Sequence, residues 1–78
     1  MKVFVTGVGG QLGYDVVHRL RSRGIECVGT DILDAWVDTI EDDIKDNVPY
    51  VKLDITNAEE VDKTISEVAP DVIVHCAA

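Results

Sequence analysis

With 78 residues, the chain has the size of at most one small domain, which buries only about 60% of the surface that it exposes when unfolded. Its ordinary hydrophobic content of 46% includes no run near the roughly 20 apolar residues of a membrane span, and MKVFVTG lacks the features of a secretory signal, which predicts a cytoplasmic protein. The net charge of −8 argues against nucleic acid or an anionic membrane as partner, because both require clustered Lys and Arg.

The chain begins with a predicted strand and helix joined by a glycine-rich turn. The run KVFVT, residues 2–6, is short, apolar and rich in β-branched residues, as in a strand covered on both faces. Beyond the glycines, apolar residues recur with the spacing of one helical face, at Leu12, Val16, Val17 and Leu20. We expect this helix to end in RLRSRG, with Gly24 as its left-handed cap.

A second strand and an acidic segment follow. IECVGTD, residues 25–31, predicts a strand that ends at an acid. Between 32 and 48, four apolar residues would share one helical face: Trp36, Val37, Ile40 and Ile44. We predict a short amphipathic helix here, with an ordered loop as the alternative. The acids of this segment lack the glycine and the ligand spacing of a calcium loop, so we interpret them as a solvated face.

The last part of the chain predicts a strand, a helix and a strand. YVKLD, residues 50–54, again ends at an acid. TNAE, residues 56–59, matches a capping box, in which Thr56 accepts from the amide of Glu59 and the Glu59 carboxylate reaches back. The helix that it opens should end before Pro70 and bury Val61, Ile65 and Val68. DVIVHCAA, residues 71–78, predicts the fourth strand.

This alternation of strands and helices predicts an α/β fold. A parallel sheet with right-handed crossovers and helices on both faces is expected, in the strand order 3-2-1-4. The fourth strand would then have a bare outer edge, which predicts self-association by strand pairing or swapping. Cys27 and Cys76 lie in apolar runs without a C-x-x-C or a cluster with His, so we expect buried free thiols and neither a disulfide nor a metal site.

The glycine turn TGVGGQLG, residues 6–13, predicts a dinucleotide site. It has the spacing G-x-x-G-x-x-G, with Gly9 as an extra glycine. Gly7 can form the tight bend, Gly10 can let a pyrophosphate reach the backbone, and Gly13 can let the helix pack closely on the strand. The amides of the next two residues, Gln11 and Leu12, would then donate to the phosphates at the helix N-terminus. A glycine turn without a ligand is the alternative.

Acids at the ends of strands support this interpretation. Asp31 lies eighteen residues beyond Gly13, where a carboxylate can accept from the adenosine ribose hydroxyls and repel a 2′-phosphate. Ile32 and Leu33 follow it, and no Lys or Arg stands beside it in the sequence, so NAD(H) should be preferred over NADP(H). Asp54 ends the third strand, where its carboxylate can accept from the adenine amino group.

The fourth strand should border the middle of the cofactor. Ala77 and Ala78 are small residues that leave room at the point where the strand order reverses. His75 precedes them, and we interpret it as a strand-end residue and not as a catalyst.

The T-G-x-x-G-x-x-G motif is typical of the extended branch of the short-chain dehydrogenase/reductase superfamily. Together with it, the stretches VTGVGGQLGYDVV, LDITNAEEV and PDVIVHCAA resemble the dTDP-4-dehydrorhamnose reductase family over nearly the whole chain, with residues 32–48 as the exception. The resemblance implies a Rossmann-type domain and an NAD(P)H-dependent reduction of a 4-keto deoxysugar nucleotide, in dTDP-rhamnose biosynthesis, with Mg2+ bound by some full-length members. It also implies cofactor contacts. Gly10, Gln11 and Leu12 would contact the pyrophosphate, and Asp31, which Ile32 follows, would contact the ribose. Asp54 and Ile55 would contact the adenine, and Ala77 and Ala78 would contact the middle of the cofactor.

The chain departs from that family in its catalytic residues. The superfamily's proton donor is the Tyr of Tyr-x-x-x-Lys, but four residues after Tyr14 stands His18, and four residues after Tyr50 stands Asp54. We therefore expect residues 1–78 to form the N-terminal half of a truncated Rossmann domain, without catalytic or substrate-binding parts. The alternatives are a stand-alone NAD(H)-binding module, a non-catalytic fragment, or part of another extended-branch epimerase or dehydratase.

Overall fold

A computed structural model describes residues 1–76, and the predicted site residues Ala77 and Ala78 lie outside this range. Strands and helices alternate along the chain. In chain order they are β1 (Lys2–Thr6), α1 (Gln11–Ser22), β2 (Glu26–Asp31), α2 (Asp42–Asn47), β3 (Tyr50–Lys52), α3 (Ala58–Val68) and β4 (Val72–His75). All strand pairs are parallel, and the order across the sheet is β3-β2-β1-β4, so the predicted α/β fold and its strand order 3-2-1-4 are confirmed.

The parallel register brings the carboxyl ends of the strands to one edge of the sheet. Thr6 of β1 is paired with Thr30 of β2 on one side and with His75 of β4 on the other. Asp31, the last residue of β2, is paired with Lys52, the last residue of β3. The turns that follow β1, β2 and β3 therefore meet along this edge.

Apolar residues cover both faces of the sheet. On one face, Val5 of β1 packs in a buried cluster with Val17 of α1 and Ile44 of α2. On the opposite face, the buried Phe4 and Leu53 pack against α3. This alternation along β1 explains why its sequence is apolar throughout. No helix among residues 1–76 combines the length and apolar character needed to cross a membrane.

The two cysteines are both free, but they differ in burial. Cys27 lies in the core, and its burial raises the pKa of the thiol above its ordinary value. Cys76 is only half-buried. The prediction of a buried free thiol is thus confirmed for Cys27, whereas at Cys76 the structure has a free but partly accessible thiol.

Residues 32–48 form a loop followed by one short helix. Of the predicted helix only Asp42–Asn47 is helical, and the preceding residues run as bends and turns. The cause is Trp36, whose ring lies over Gly29 of β2, where a Cβ would stand only 2.5 Å from the indole Cη2 atom. The indole N–H also donates to the carbonyl of Val48 at 3.2 Å. These two contacts hold the loop before α2 against the sheet.

The predicted capping box of α3 is wrong by one residue. The N-cap is Asn57, whose side chain accepts from the amide of Glu60 at 3.1 Å, and the Glu60 carboxylate accepts from the amide of Asp54 at 3.3 Å. Thr56 lies one residue before this N-cap, and its N–H and its hydroxyl both donate to the Asp54 carboxylate.

Candidate cofactor site

A cavity of about 430 Å3 opens at the carboxyl ends of the strands. This volume lies within the range of small-molecule sites in proteins, about 300–1,000 Å3. Among residues 1–76, ten line it. Six of these were predicted as site residues, Gly7, Gly10, Asp31, Ile32, Asp54 and Ile55, and the others are Thr30, Leu53, Thr56 and Cys76. The structure thus brings the ends of β1, β2 and β3 together around one space.

The turn after β1 is fixed by backbone hydrogen bonds and by one close approach. The carbonyl of Thr30 accepts from the amides of Gly7 and Val8 at 2.9 and 3.2 Å. Gly7 has φ 75°, the left-handed region that favours glycine. Gly13 is buried against this bend, and a Cβ on it would overlap the Gly7 carbonyl. The roles expected for Gly7 as the bend and for Gly13 as the packing residue are present in the structure.

The helix N-terminus behind this turn has unpaired amides. The amide of Gly10, the N-cap of α1, donates to the Gly7 carbonyl at 3.1 Å and is already paired. No residue in the described range 1–76 accepts from the amides of Gln11 or Leu12. The amide of Gly13 has no acceptor in this range either. The Gln11 and Leu12 N–H groups are thus available to an anion, as the predicted phosphate contact requires.

No contact inside the described part of the protein requires a glycine at position 10. Its φ of −96° suits any residue, and a Cβ would meet only the Gly7 carbonyl at 3.6 Å, an ordinary contact distance. Gly10 nevertheless lines the cavity directly before the unpaired amides. The packing of the described residues therefore does not require a glycine at this position.

Gln11 and Leu12 themselves lie at the edge of the site and outside the lining of the main cavity. Gln11 borders a smaller cavity of about 230 Å3 on the turn, lined also by Gly9 and Tyr14, and its side-chain Nε2 atom donates to the Asp15 carboxylate at 3.1 Å. The Leu12 side chain is 65% exposed. An anion bound to these amides would therefore lie at the mouth of the main cavity.

Asp31 connects β2 to the glycine turn. One carboxylate oxygen accepts from the amide of Gly9 at 2.7 Å, and the other accepts from the amide of Ile32 at 2.6 Å. An ionised carboxylate has about four acceptor positions, so two remain for other donors such as ribose hydroxyls. The sequence did not reveal this internal role, because Gly9 and Asp31 are 22 residues apart.

Asp54, which lines the cavity, also accepts hydrogen bonds from the turn that follows it. Its Oδ1 atom accepts from the Thr56 hydroxyl at 2.6 Å and from the Thr56 amide at 2.9 Å. These hydrogen bonds, that of the hydroxyl first, hold the pKa of the Asp54 carboxyl below its ordinary value. Asp54 is thus an ionised acceptor at neutral pH, and Ile55 beside it presents an apolar surface to the same cavity.

We expect the fold to be less stable in acid, because the pKa of the Asp54 carboxyl and those of two other carboxyls are lowered in the folded protein. The other two are Asp34 and Asp43, whose pKa values are lowered mainly by hydrogen bonds from Lys52 and Arg21 respectively. A carboxyl with a lower pKa in the folded state contributes stability above its unfolded pKa of about 3.9, and this is lost as the pH falls through the folded pKa. The urea midpoint should therefore be lower at pH 3 than at pH 6. The variant T56V should show a smaller difference, and equal midpoints in the native chain would contradict this account.

The end of β4 is tied to the end of β1. The Thr6 hydroxyl lies 2.9 Å from His75 Nδ1 and accepts from the amide of Cys76 at 3.0 Å. His75 is exposed and has this structural partner, which agrees with its interpretation as a strand-end residue. Four of the lining residues were not predicted from the sequence, Thr30, Leu53, Thr56 and Cys76, although each lies within two residues of a predicted strand end.

No group of three His, Cys, Asp or Glu side chains in the described part of the chain is arranged to hold a metal ion. The site thus consists of unpaired amides, two ionisable carboxyls and apolar walls. Such a donor and acceptor set fits a phosphate joined to a polar, ring-containing group.

Comparison with known proteins identifies relatives over the whole chain. A model of the NAD dependent epimerase/dehydratase family matches residues 3–78. The probable low-salt glycan biosynthesis reductase Agl14 of Haloferax volcanii is 33% identical over 78 residues, which are all of this chain and 23% of the relative. The chain thus spans about a quarter of the length of the relatives that it matches.

Solved structures agree in fold. The UDP-glucose 4-epimerase of Thermus thermophilus in complex with NAD has a TM-score of 0.81 and 30% identity, over all of this chain and 24% of that one. A dTDP-4-dehydrorhamnose reductase from Clostridium acetobutylicum has a TM-score of 0.69 and 33% identity, over all of this chain and 21% of that one.

Proposed function

We propose that this chain, which belongs to the NAD-dependent epimerase/dehydratase family, binds a nicotinamide dinucleotide at the carboxyl ends of its strands. The observation that carries the proposal is the pair of unpaired amides at Gln11 and Leu12, next to a glycine that internal packing does not require. Relatives of the same fold have been crystallised with NAD. The chain's own residues fit that cofactor.

The proposed contacts follow the chemistry of the site. The amides of Gln11 and Leu12 would donate to the pyrophosphate, and Asp31 would accept from the adenosine ribose with the acceptor positions that it keeps. Asp54 and Ile55 would border the adenine. The carboxylate of Asp31 would repel a 2′-phosphate, so we propose NAD(H) as the preferred cofactor. When bound, that cofactor supplies hydride transfer chemistry.

For the whole protein, we propose a reductase acting on a 4-keto sugar nucleotide. The supporting observations are the stretches that resemble dTDP-4-dehydrorhamnose reductase and the likeness to a reductase of Haloferax volcanii. The second candidate is a sugar-nucleotide epimerase or dehydratase, favoured by the higher TM-scores of the epimerase structures. In either case the tyrosine and lysine of the superfamily motif would have to come from outside these 78 residues.

Direct titration of the chain tests cofactor binding. Calorimetry with NADH should give one site per chain, and NADPH should bind more weakly because of Asp31. No reduction of a 4-keto sugar nucleotide by the 78 residues alone is expected, since neither tyrosine has its lysine. A chain that is folded by circular dichroism and binds neither dinucleotide would refute the proposed function, and measurable turnover would refute the assignment of catalysis to other residues.

Three further predictions remain part of this proposal. A cytoplasmic location and the absence of nucleic acid and membrane partners rest on composition and charge. Self-association through the outer edge of β4 is supported by the exposure of Val72 and Ile73 on that strand.

A further inference from the structure

The loop after Asp31 is held from the side by β3. The hydroxyl of Tyr50 donates to the carbonyl of Leu33 at 2.6 Å. Burial raises the pKa of this hydroxyl most, and the charges of Asp31 and Asp34 raise it further, so the group stays protonated and remains a donor. Next along β3, the Lys52 ammonium donates to Asp34 Oδ1 at 2.7 Å. Two side chains of β3 thus fix the loop that continues from the proposed ribose acceptor.

Lys52 has a special place among the cations of the chain. It is the register partner of Asp31, on a neighbouring strand about 4.8 Å away. In the described range it is the one Lys or Arg at the carboxyl end of a strand. The other six lie at the start of β1, in the last turns or at the C-cap of α1, or within the other helices: Lys2, Arg19, Arg21, Arg23, Lys45 and Lys63.

The Lys52 ammonium group is paired with the carboxylate of Asp34. The side chain of Lys52 is 58% exposed and that of Asp34 is 90% exposed, so the pair lies in solvent, on the strand end next to Asp31. Lysine has a flexible four-carbon stem and changes partners easily. Without Asp34, the ammonium group could turn towards an anion bound beside Asp31, where the 2′-phosphate of NADP(H) would lie.

We propose that the Lys52–Asp34 pair is a specificity element, in which Asp34 keeps Lys52 from supporting a 2′-phosphate and so strengthens the preference for NAD(H). This inference rests on the proposed function, because it concerns the same cofactor. It adds a second determinant of cofactor specificity to Asp31. This determinant acts because Asp34 neutralises the charge of Lys52 on the neighbouring strand.

The test compares NADH and NADPH affinities of the full chain at low ionic strength. The variant D34N should bind NADPH about fivefold more tightly than the native chain, the effect of one unit charge at about 4 Å in water. NADH affinity should stay within about twofold, because NADH has no 2′-phosphate. The gain should disappear in concentrated salt, which screens exposed charges.

Two controls separate this mechanism from simpler ones. D34N/K52M should lose the gain, because the cation is then absent. D43N breaks a different exposed ion pair, Arg21–Asp43, whose residues do not line the cavity, and should leave both affinities unchanged. No gain in D34N, a gain that persists in D34N/K52M, or an equal gain in D43N would each overturn the inference. If the folded native chain binds no dinucleotide, the proposed function itself fails, which is a different result.

Discussion

Replacing Gly10 with alanine is expected to weaken NADH binding strongly while the fold remains intact. The new Cβ would lie in the cavity before the amides of Gln11 and Leu12 and would hold a phosphate away from them. Loss of one hydrogen bond to a charged group costs about 1.5–3 kcal/mol, so the Kd for NADH should rise at least about tenfold. Calorimetric titration of the native chain and of G10A measures this difference.

The stability of G10A decides how this result is interpreted. Inside the protein the Cβ meets only the Gly7 carbonyl at 3.6 Å, and alanine at an N-cap in place of glycine costs no more than about 1 kcal/mol. The urea midpoint should therefore remain close to that of the native chain. If G10A binds NADH as tightly as the native chain does, Gly10 is not where the cofactor approaches the backbone.

Replacing Gly13 with alanine should instead destabilise the fold by about 3 kcal/mol, at the upper end of what overpacking costs. The added Cβ would overlap the carbonyl of Gly7 and lie 2.9 Å from the Cα of Val8, and backbone atoms cannot rotate away as a side chain can. The helix α1 would have to move off the turn. For a chain of this size, such a loss is a large part of the total stability. Urea unfolding followed by circular dichroism gives the change.

G10A is the matched control for G13A, because both add one methyl group to the same turn. The account predicts opposite profiles, with G10A folded but impaired in NADH binding and G13A impaired in folding. A free energy of unfolding for G13A within about 1 kcal/mol of the native value would show that the close packing of the helix on the turn is not needed.

The fold could be predicted from the sequence because its signals are local. Each strand is a short apolar run, and the spacing of Gly7 and Gly13 marks the turn between the first strand and its helix. Two errors came from competition that a linear pattern does not show. Trp36 packs on Gly29 of β2, in a segment that is a loop, and the helix is capped by Asn57, while Thr56 donates to Asp54.

The site could be predicted in outline but not in its internal bonding. The strand-end acids Asp31 and Asp54 were recognised, and both line the cavity. That Asp31 also binds the amide of Gly9 depends on the distance between two turns in space. In the same way, the sequence shows no cation beside Asp31, whereas the sheet places Lys52 directly across from it. Contacts across parallel strands depend on register, which no single stretch contains.

The central claim is that the amides at the start of α1 bind the diphosphate of a nicotinamide dinucleotide. It is tested most directly by recording backbone amide NMR signals of the 15N-labelled chain during titration with NADH. The account predicts that the signals of Gln11 and Leu12 shift in a saturable way, whereas those of α3 stay in place. Saturable binding that leaves the Gln11 and Leu12 signals unmoved would contradict the claim.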